Sequence, residues 1–446
     1  MKKKTGCLLL LALLALCLPA FAAAEREIPD CLRFRQKMTV THLGNARDRY
    51  VVLPSTALPA VDAEIRAEVE RLLAEAEPHL PRKGAANNLA SRLDAGPYIT
   101  RVGSRWMSFL VIGRVTHAHD QLFVDFSARV YNMETGERVL LGDILDEEKG
   151  GWDFLTEEAE RQLAAHFPEI PTDGERLAAL CERNALEERA FTLSPGHITL
   201  HFHAHELYPE APEGLLRVEI YYPDLAPYMT ETAIRETDCS GYRLAALTYD
   251  DGPSWGVSER VMNQLRLYGA QATFFTVGIK IGERPGVLHR EYDSGYSVQS
   301  HNWVHRFDNI TPENVADWIP RMDAAMSAII GVGPVMMRAP GGYQTLFIRA
   351  GSTLPQIHWS LVSGDASNDP NIYGNVDYIT HHVGNARDGD IILCHDLNEK
   401  ANAFAAGYLP RLEHRNFLLV TVQDLCVLRG VKLEAGMELE CCPPQE

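Results

Sequence analysis

Apolar residues in the first half of the chain recur at two different spacings. Over 61–76 they fall at every third or fourth position, the spacing that lines one face of an α-helix. Four later runs have the alternation, or the β-branched and aromatic content, of antiparallel strands: 106–115, 122–131, 197–203 and 215–222. This pattern predicts an α+β unit with an antiparallel sheet over residues 25–238.

The pattern changes near Cys239. Short apolar runs at 244–247, 272–277 and 390–394 then alternate with stretches of helical periodicity. Such alternation is typical of β/α units around a parallel sheet or barrel, and folds of this kind carry their chemistry at the carboxyl ends of the strands. We therefore place the chemistry in residues 239–435 and treat 436–446 as a C-terminal tail.

Composition and charge remove several classes of function. Hydrophobic residues make up 46% of the 446 residues and charged residues 23%, as in soluble globular proteins. Because 60 acidic residues outnumber 42 Lys and Arg, the formal net charge is −18. A chain this acidic lacks the broad basic surface that binds nucleic acid or anionic lipid, so we predict neither as a partner.

Residues 1–24 have the pattern of a secretory signal peptide. Lys2, Lys3 and Lys4 precede an apolar stretch over 8–18, and small residues at 20–24 offer cleavage sites. We predict an extracytoplasmic protein, secreted or held at the cell surface; the alternative is an uncleaved anchor, although the apolar stretch is short for one. Seven cysteines follow the signal, and their spacing does not determine any disulfide pairing.

Two carboxylates and three imidazoles carry the candidate chemistry. Asp250 and Asp251 end an apolar strand, although Asp-Asp-Gly-Pro alone also suits an exposed turn. His301 and His305 would face the same way on a helix, and His395 follows another strand. One carboxylate and two imidazoles can hold a divalent metal with a position left open, while a second carboxylate is available as a base.

Five short motifs occur in a fixed order between about residues 242 and 433. They are TYDDGP (248–253), HNWVH (301–305), RAPGG (338–342), SGD (363–365) and LCH (393–395). In this order they resemble the polysaccharide deacetylases of carbohydrate esterase family 4, also called the NodB homology domain. The resemblance implies a distorted (β/α) barrel and metal-dependent removal of acetyl groups from N-acetylated sugars.

The resemblance also implies which residues bind the metal. Asp251, His301 and His305 would hold one divalent ion. Zinc is favoured, with cobalt and manganese as alternatives.

The same resemblance implies which residues act as general acid and general base and which residues hold them in place. Asp250 would be the general base, oriented by Arg338, and His395 would be the general acid, tuned by Asp365. Amide hydrolysis needs an activated water, a stabilised oxyanion and a proton for a poor leaving group, and this set provides for each.

The acetyl group would meet two further motif residues. Leu393 would line its pocket, and the backbone N–H of Gly341 would help to bind the oxyanion. The fourth motif departs from the family's DxxDW, because Val362 replaces its first Asp and Ala366 its Trp. The missing Trp opens one wall of the acetyl pocket, which bears on substrate preference more than on catalysis.

The upstream region has a less specific likeness. The turn at 135–143 and the strand region at 191–202 resemble the extracytoplasmic module of RsiV-like proteins and of PdaC-type peptidoglycan deacetylases. The likeness suggests that the protein acts on the cell wall. The role of the module stays open between binding of a glycan, binding of a lysozyme-like protein and simple spacing. We expect this module to fold on its own and to be dispensable for chemistry on small oligomers.

The sequence thus predicts an α/β protein with a distorted barrel over 239–435, preceded by a separate α+β domain over 25–238. The leading function is a metal-dependent hydrolase that removes N-acetyl groups from N-acetylglucosamine or N-acetylmuramic acid of peptidoglycan and releases acetate. One alternative is a deacetylase of chitooligosaccharide or another exopolysaccharide. The other is an inactive surface protein that binds a glycan or a protein, and acetate release separates it from the enzymes.

Overall fold

A computed structural model describes residues 26–82, 90–306, 311–342 and 351–444. The predicted signal peptide at 1–24 lies outside these residues. Across the described ranges, every helix is too short or too polar to cross a membrane.

Strands and helices are unevenly mixed up to residue 238 and alternate more regularly after it. The strands are β1 (Arg35–Gly44), β2 (Arg47–Ser55), β3 (Ser91–Val102), β4 (Trp106–His117), β5 (Asp120–Asn132), β6 (Arg138–Val139), β7 (Phe191–Leu193), β8 (His197–His203), β9 (Leu215–Tyr221), β10 (Arg243–Asp250), β11 (Thr273–Thr276), β12 (Ser297–Ser300), β13 (Gln356–Ile357), β14 (Leu361–Val362), β15 (Asp390–His395), β16 (Phe417–Val420) and β17 (Glu438–Leu439). The helices are α1 (Pro59–Ala76), α2 (Leu141–Ile144), α3 (Gly151–Leu163), α4 (Gly174–Cys181), α5 (Arg183–Glu187), α6 (Ala204–Leu207), α7 (Tyr222–Leu225), α8 (Glu231–Thr237), α9 (Val257–Tyr268), α10 (Gly278–Ile281), α11 (Pro285–Asp293), α12 (Pro312–Ile330), α13 (Val376–Val383), α14 (Ala401–His414) and α15 (Val422–Leu428).

The upstream part contains two separate sheets. The larger has the order β1-β2-β3-β4-β5-β6, and the smaller has the order β7-β8-β9. Neighbours run antiparallel as predicted, except that β2 and β3 are parallel. Helix α1 lies between β2 and β3 in sequence and buries Val61, Ile65, Val69 and Leu72, the apolar positions that predicted it.

The second part is built on a parallel sheet of order β12-β11-β10-β15-β14, with β16 beside the first half of β10. Asp250, the last residue of β10, lies opposite His395 of β15 and Phe275 of β11. Because parallel strands end at the same edge, this register brings the motifs that follow β10 and β15 together.

The chain after β12 extends this arrangement by single bridges. Met337 pairs with Ser300 on one side and with Gln356 of β13 on the other, and β13 pairs with β17. Among the described residues no ladder joins β13 to β14, so the closed barrel stays a prediction. The predicted C-terminal tail contains β17, the partner of β13.

The two parts share two of their apolar clusters, while the independent folding of the upstream module stays a prediction. One buried cluster contains Tyr98 and Leu110 of the first sheet together with Leu247 and Val261 of the second part. A second cluster joins the buried face of α1 to β10, β16 and α15. Part of the apolar surface of each part is therefore buried against the other.

Buried charges cross the same boundary. Asp94 of β3 accepts hydrogen bonds from Arg92 and from Arg266 of α9 at 2.6 and 2.7 Å, and Arg290 of α11 approaches at 3.4 Å. Burial opposes ionisation of Asp94, but Arg266, Arg92 and Arg290 outweigh it and hold its pKa well below the ordinary value. The charge of Asp94 is thus compensated in part by arginines from the other part of the chain.

Two buried thiols suggest a cross-link under oxidising conditions. The sulfurs of Cys426 in α15 and Cys442 in the tail are 3.7 Å apart. With oxidised glutathione as acceptor of two electrons and two protons, we expect these thiols to form a disulfide. A loop of 16 residues would then raise the free energy of unfolding by about 3 kcal/mol. Alkylation mass spectrometry detects the disulfide, and denaturation with and without reductant measures its effect on stability. Cys426→Ser is the control. Alkylation of both Cys426 and Cys442 in the oxidised protein would contradict the pairing.

Candidate active site

Asp250 and Asp251 lie where β10 turns away from the sheet. Asp250 is buried, with 3% of its surface exposed. Asp251 has a φ of +77°, the left-handed conformation that Asp adopts more readily than most residues. The ammonium group of Lys280 donates a hydrogen bond of 2.6 Å to the backbone carbonyl of Asp251 and so holds this turn.

The close packing of this turn explains why residue 252 is a glycine. A Cβ on Gly252 would lie 2.5 Å from a carboxylate oxygen of Asp396, which directly follows His395. The backbone N–H of Asp396 donates to the carbonyl of Asp250, and the hydroxyl of Ser258 donates to the Asp396 carboxyl group. Burial raises the pKa of Asp396 to about 7. Sequence reasoning missed Asp396, for which adjacency to the LCH motif was the available signal.

His301 and His305 converge on Asp251 without a helix. Residues 301–306 form an irregular turn in which Asn302 has a φ of +67°. The Nε2 atoms of His301 and His305 lie 3.3 and 3.0 Å from Oδ1 of Asp251. The two imidazoles therefore face the same carboxylate through this turn, and not through the helix on which their spacing would also have aligned them.

This trio fits a divalent metal ion. Its three potential ligand atoms lie within 4.8 Å of one another. His301 makes a 2.9 Å hydrogen bond from Nδ1 to the carbonyl of Arg338, which leaves Nε2 as the free ligand atom. Oδ1 of Asp251 is buried without a hydrogen bond of normal geometry. Two imidazole nitrogens and a carboxylate oxygen suit zinc and its transition-metal neighbours.

The charge state of Asp251 agrees with this. Burial opposes its ionisation, but the imidazoles of His301 and His305 favour it more strongly, so the pKa of Asp251 lies well below its ordinary value. An ionised carboxylate is the form that a metal requires.

Arg338 fixes the second carboxylate from behind. Its fully buried guanidinium donates to Oδ1 of Asp250 at 2.8 Å and to the hydroxyl of Thr248 at 2.6 Å. The remaining donors reach the carbonyls of Ile357 and His358. Asp250 is thereby held as an oriented carboxylate whose Oδ2 lies 3.8 Å from Nε2 of His301.

His395 is held from the other side by Asp365. One carboxylate oxygen of Asp365 accepts from Nδ1 of His395 at 2.8 Å, and the other accepts from its backbone N–H at 2.7 Å. Burial alone would lower the pKa of His395, but Asp365 outweighs it, and the pKa rises to about 9. His395 therefore carries a proton at neutral pH.

A cleft of about 560 Å³ unites most of the predicted residues. Its lining includes Asp250, Asp251, His301, His305, Gly341, Leu393 and His395. Arg338 and Asp365 are not among its lining residues and lie behind Asp250 and His395. Val362 and Ala366, the two departures from the fourth motif, also line the cleft.

Sequence reasoning missed the aromatic wall of this cleft. Trp359, Tyr378 and His382 line it beside Ile372. The rings of Tyr378 and His382 stack with centroids 5.5 Å apart and an interplanar angle of 20°. Their spacing of four residues on α13 was visible in the sequence, but no motif marks it.

Comparisons with known proteins follow the second part of the chain. Residues 237–352 match the family model described as polysaccharide deacetylase. The peptidoglycan-N-acetylglucosamine deacetylase PgdA of Listeria monocytogenes is 32% identical over 195 residues, which are 43% of this chain and 40% of that protein. A peptidoglycan-N-acetylglucosamine deacetylase of Bacillus cereus is 30% identical over 192 residues, 41% of this chain and 88% of that protein. The solved structure of peptidoglycan deacetylase PdaC from Bacillus subtilis is 26% identical, with a TM-score of 0.40, and covers 42% of this chain and 92% of that one.

Proposed function

Because the chain belongs to the polysaccharide deacetylase family, we propose that it is a metal-dependent hydrolase that removes N-acetyl groups from peptidoglycan amino sugars and releases acetate. The observation that carries this proposal is a single cleft holding a His-His-Asp trio, an oriented carboxylate and a protonated imidazole. The chemistry belongs to residues 239–435, while the upstream module completes the fold.

Asp251, His301 and His305 would hold the metal, with zinc favoured over cobalt or manganese. When bound, the ion polarises the scissile carbonyl and lowers the pKa of a water. Asp250 takes the proton from the attacking water, and the fixed guanidinium of Arg338 keeps its carboxylate aimed.

The acetyl group is received by Gly341 and Leu393. Gly341 lines the cleft in a tight turn with a φ of +63°, and its backbone N–H is our candidate oxyanion donor. Leu393 provides apolar surface for the methyl group. Ala366, in place of the family's Trp, leaves this pocket wider.

His395 is assigned as the general acid, which makes activity depend on its proton. As pH rises through a pKa of about 9, the imidazolium loses that proton and the rate should fall. Asp365→Asn removes the carboxylate that stabilises the charged ring, so the alkaline limb of kcat should move to lower pH, towards the ordinary 6.5. Rate profiles of both proteins measure this shift, and an unmoved limb would remove Asp365 from the role.

Peptidoglycan is the proposed polymer because the matched relatives from Listeria and Bacillus are named for it. Those names include both N-acetylglucosamine and N-acetylmuramic acid deacetylases, so either sugar is a candidate. The predicted export places the enzyme outside the cytoplasm, where this polymer lies.

The aromatic wall of the cleft should contribute to sugar binding. Tyr378 offers a half-exposed ring backed by His382, a platform for the apolar face of a sugar. Tyr378→Ala is expected to raise KM for a soluble chitooligosaccharide by about tenfold with a smaller change in kcat. Tyr373→Ala, an exposed tyrosine in the turn before α13 that is not among the lining residues of the cleft, is the matched control. Equal KM values for the two variants would exclude this platform.

Acetate release from a panel of substrates tests the proposed function. The panel contains peptidoglycan, glycan strands and chitooligosaccharides, each assayed before and after chelation and after return of zinc, cobalt or manganese. We expect chelation to abolish release, metal to restore it and peptidoglycan to be preferred. Full activity after exhaustive chelation would overturn the metal mechanism. A preference for chitooligosaccharides would make them the substrate instead of peptidoglycan. No acetate release from any member of the panel would favour the inactive, glycan-binding alternative.

A further inference from the structure

A second, larger cleft lies between the upstream module and the deacetylase part. It has a volume of about 990 Å³, and its walls come from α3 and β9 on one side and from β12 and the segment after α12 on the other. Ser297 and Gln299 of β12 line it, whereas His301 of the catalytic cleft follows the carboxyl end of the same strand. Gln299 and His301 are two residues apart, about 7 Å along the strand, so the two clefts are neighbours.

The lining of this cleft combines aromatic surface with balanced charge. Phe154 and Tyr228 stack at its edge with centroids 4.3 Å apart and an interplanar angle of 13°. Its two arginines are already matched by acidic neighbours, Arg161 by Glu158 and Arg217 by Glu219. A polyanion would find no uncompensated cation on these walls, so the lining favours an uncharged ligand.

One buried side chain in this cleft has a polar atom without a partner. His166 is 2% exposed and lines the cleft. Its Nδ1 bonds to the carbonyl of Gln162 at 2.8 Å, so the proton is on Nδ1 and Nε2 is an acceptor. Nε2 makes no hydrogen bond within the described chain. Burial lowers the pKa of His166 to about 4, so the acceptor stays unprotonated at neutral pH. It therefore calls for a donor such as a hydroxyl group.

We propose that this cleft binds an uncharged stretch of N-acetylhexosamine chain, a second glycan site distinct from the catalytic cleft. Sugar rings offer apolar faces to the aromatic pair and hydroxyl donors to His166. The inference rests on the proposed function for its choice of glycan, and it gives the upstream module a recognition role.

The position of the site explains what it would contribute. A glycan held between the upstream module and the deacetylase part keeps the catalytic cleft near neighbouring strands of the same polymer, which raises the effective substrate concentration. The gain should be largest on polymers, whose neighbouring strands stay near the catalytic cleft.

Calorimetric titration with a hexamer of N-acetylglucosamine tests this directly. We expect two binding sites on the unchanged protein and one on Tyr228→Ala and on His166→Phe, which keeps ring volume but removes the acceptor. Tyr373→Ala, outside both clefts, should keep two sites. Hydrogen exchange should show hexamer-dependent protection over 154–166 and 219–228. If His166→Phe does not fold, the number of binding sites on Tyr228→Ala decides the test.

Acetate release separates this inference from the proposed function. Tyr228→Ala should release acetate from a trimer at the unchanged rate and from insoluble peptidoglycan about tenfold more slowly. A single site on the unchanged protein, or two sites on Tyr228→Ala, would overturn the second glycan site while leaving the function intact. Two sites that depend on Tyr228, with no acetate release from any substrate, would sustain the site and reject the enzyme.

Discussion

Asp250→Asn should lower kcat for acetate release by about 10²–10⁴-fold while the metal content of the protein stays near that of the unchanged chain. The amide keeps the shape of the side chain and can still contact Arg338, but it cannot accept a proton from water. The three candidate metal ligands are untouched by the change.

Asp251→Asn is the matched variant, since it changes the adjacent carboxylate in the same way. It removes the charged member of the His-His-Asp trio, so metal content after dialysis should fall together with activity. Elemental analysis and acetate release, measured on the same samples, give both quantities. Equal loss of metal in the two variants would contradict the division between base and ligand.

Deleting residues 25–238 should leave a deacetylase part that does not fold, and this is the second large effect. The truncation would expose the apolar surfaces of β10, β16 and α9 that the first sheet and α1 cover. It would also leave Arg266 and Arg290 buried without Asp94. A soluble truncated protein with a cooperative thermal transition and activity on a trimer would show instead that the parts are separable.

A point variant tests the same boundary with less disruption. Asp94→Asn should lower the free energy of unfolding by about 3–5 kcal/mol, because its buried arginines lose their counter-charge. Asp48→Asn, at the exposed hairpin where Asp48 pairs with His42, should change it by less than about 1 kcal/mol. Denaturant unfolding of the two variants measures the difference.

Local patterns predicted much of the fold. The apolar spacing of 61–76 predicted α1 within two residues, and β8 begins and ends where the alternation of 197–203 placed it. The rule that chemistry follows parallel strands placed Asp250 and His395 at one edge, where their register puts them opposite each other. These features depend on neighbours in sequence or on a general property of parallel sheets.

Features that depend on distant packing were not predictable. The approach of His305 to Asp251 depends on an irregular turn at Asn302 rather than on a helix. Tyr378 enters the cleft because α13 is held in place by packing against α14, which is distant in the sequence. Likewise, the shared core could not be predicted, because the apolar spacing of a buried helix face or strand is the same whether its packing partner is near or far in the sequence.

The interlocked cores have a consequence for how the chain matures after synthesis. Arg101 of β3 pairs with Glu413, 312 positions later, and His197 pairs with Asp424, 227 positions later. Chains are synthesised from the amino terminus, so the first sheet emerges long before the strands and helices that cover it. Such separated contacts make folding slow, and the exposed sheet surface is prone to aggregation in the interval. Correct assembly of this protein must therefore wait until nearly its whole length has been delivered.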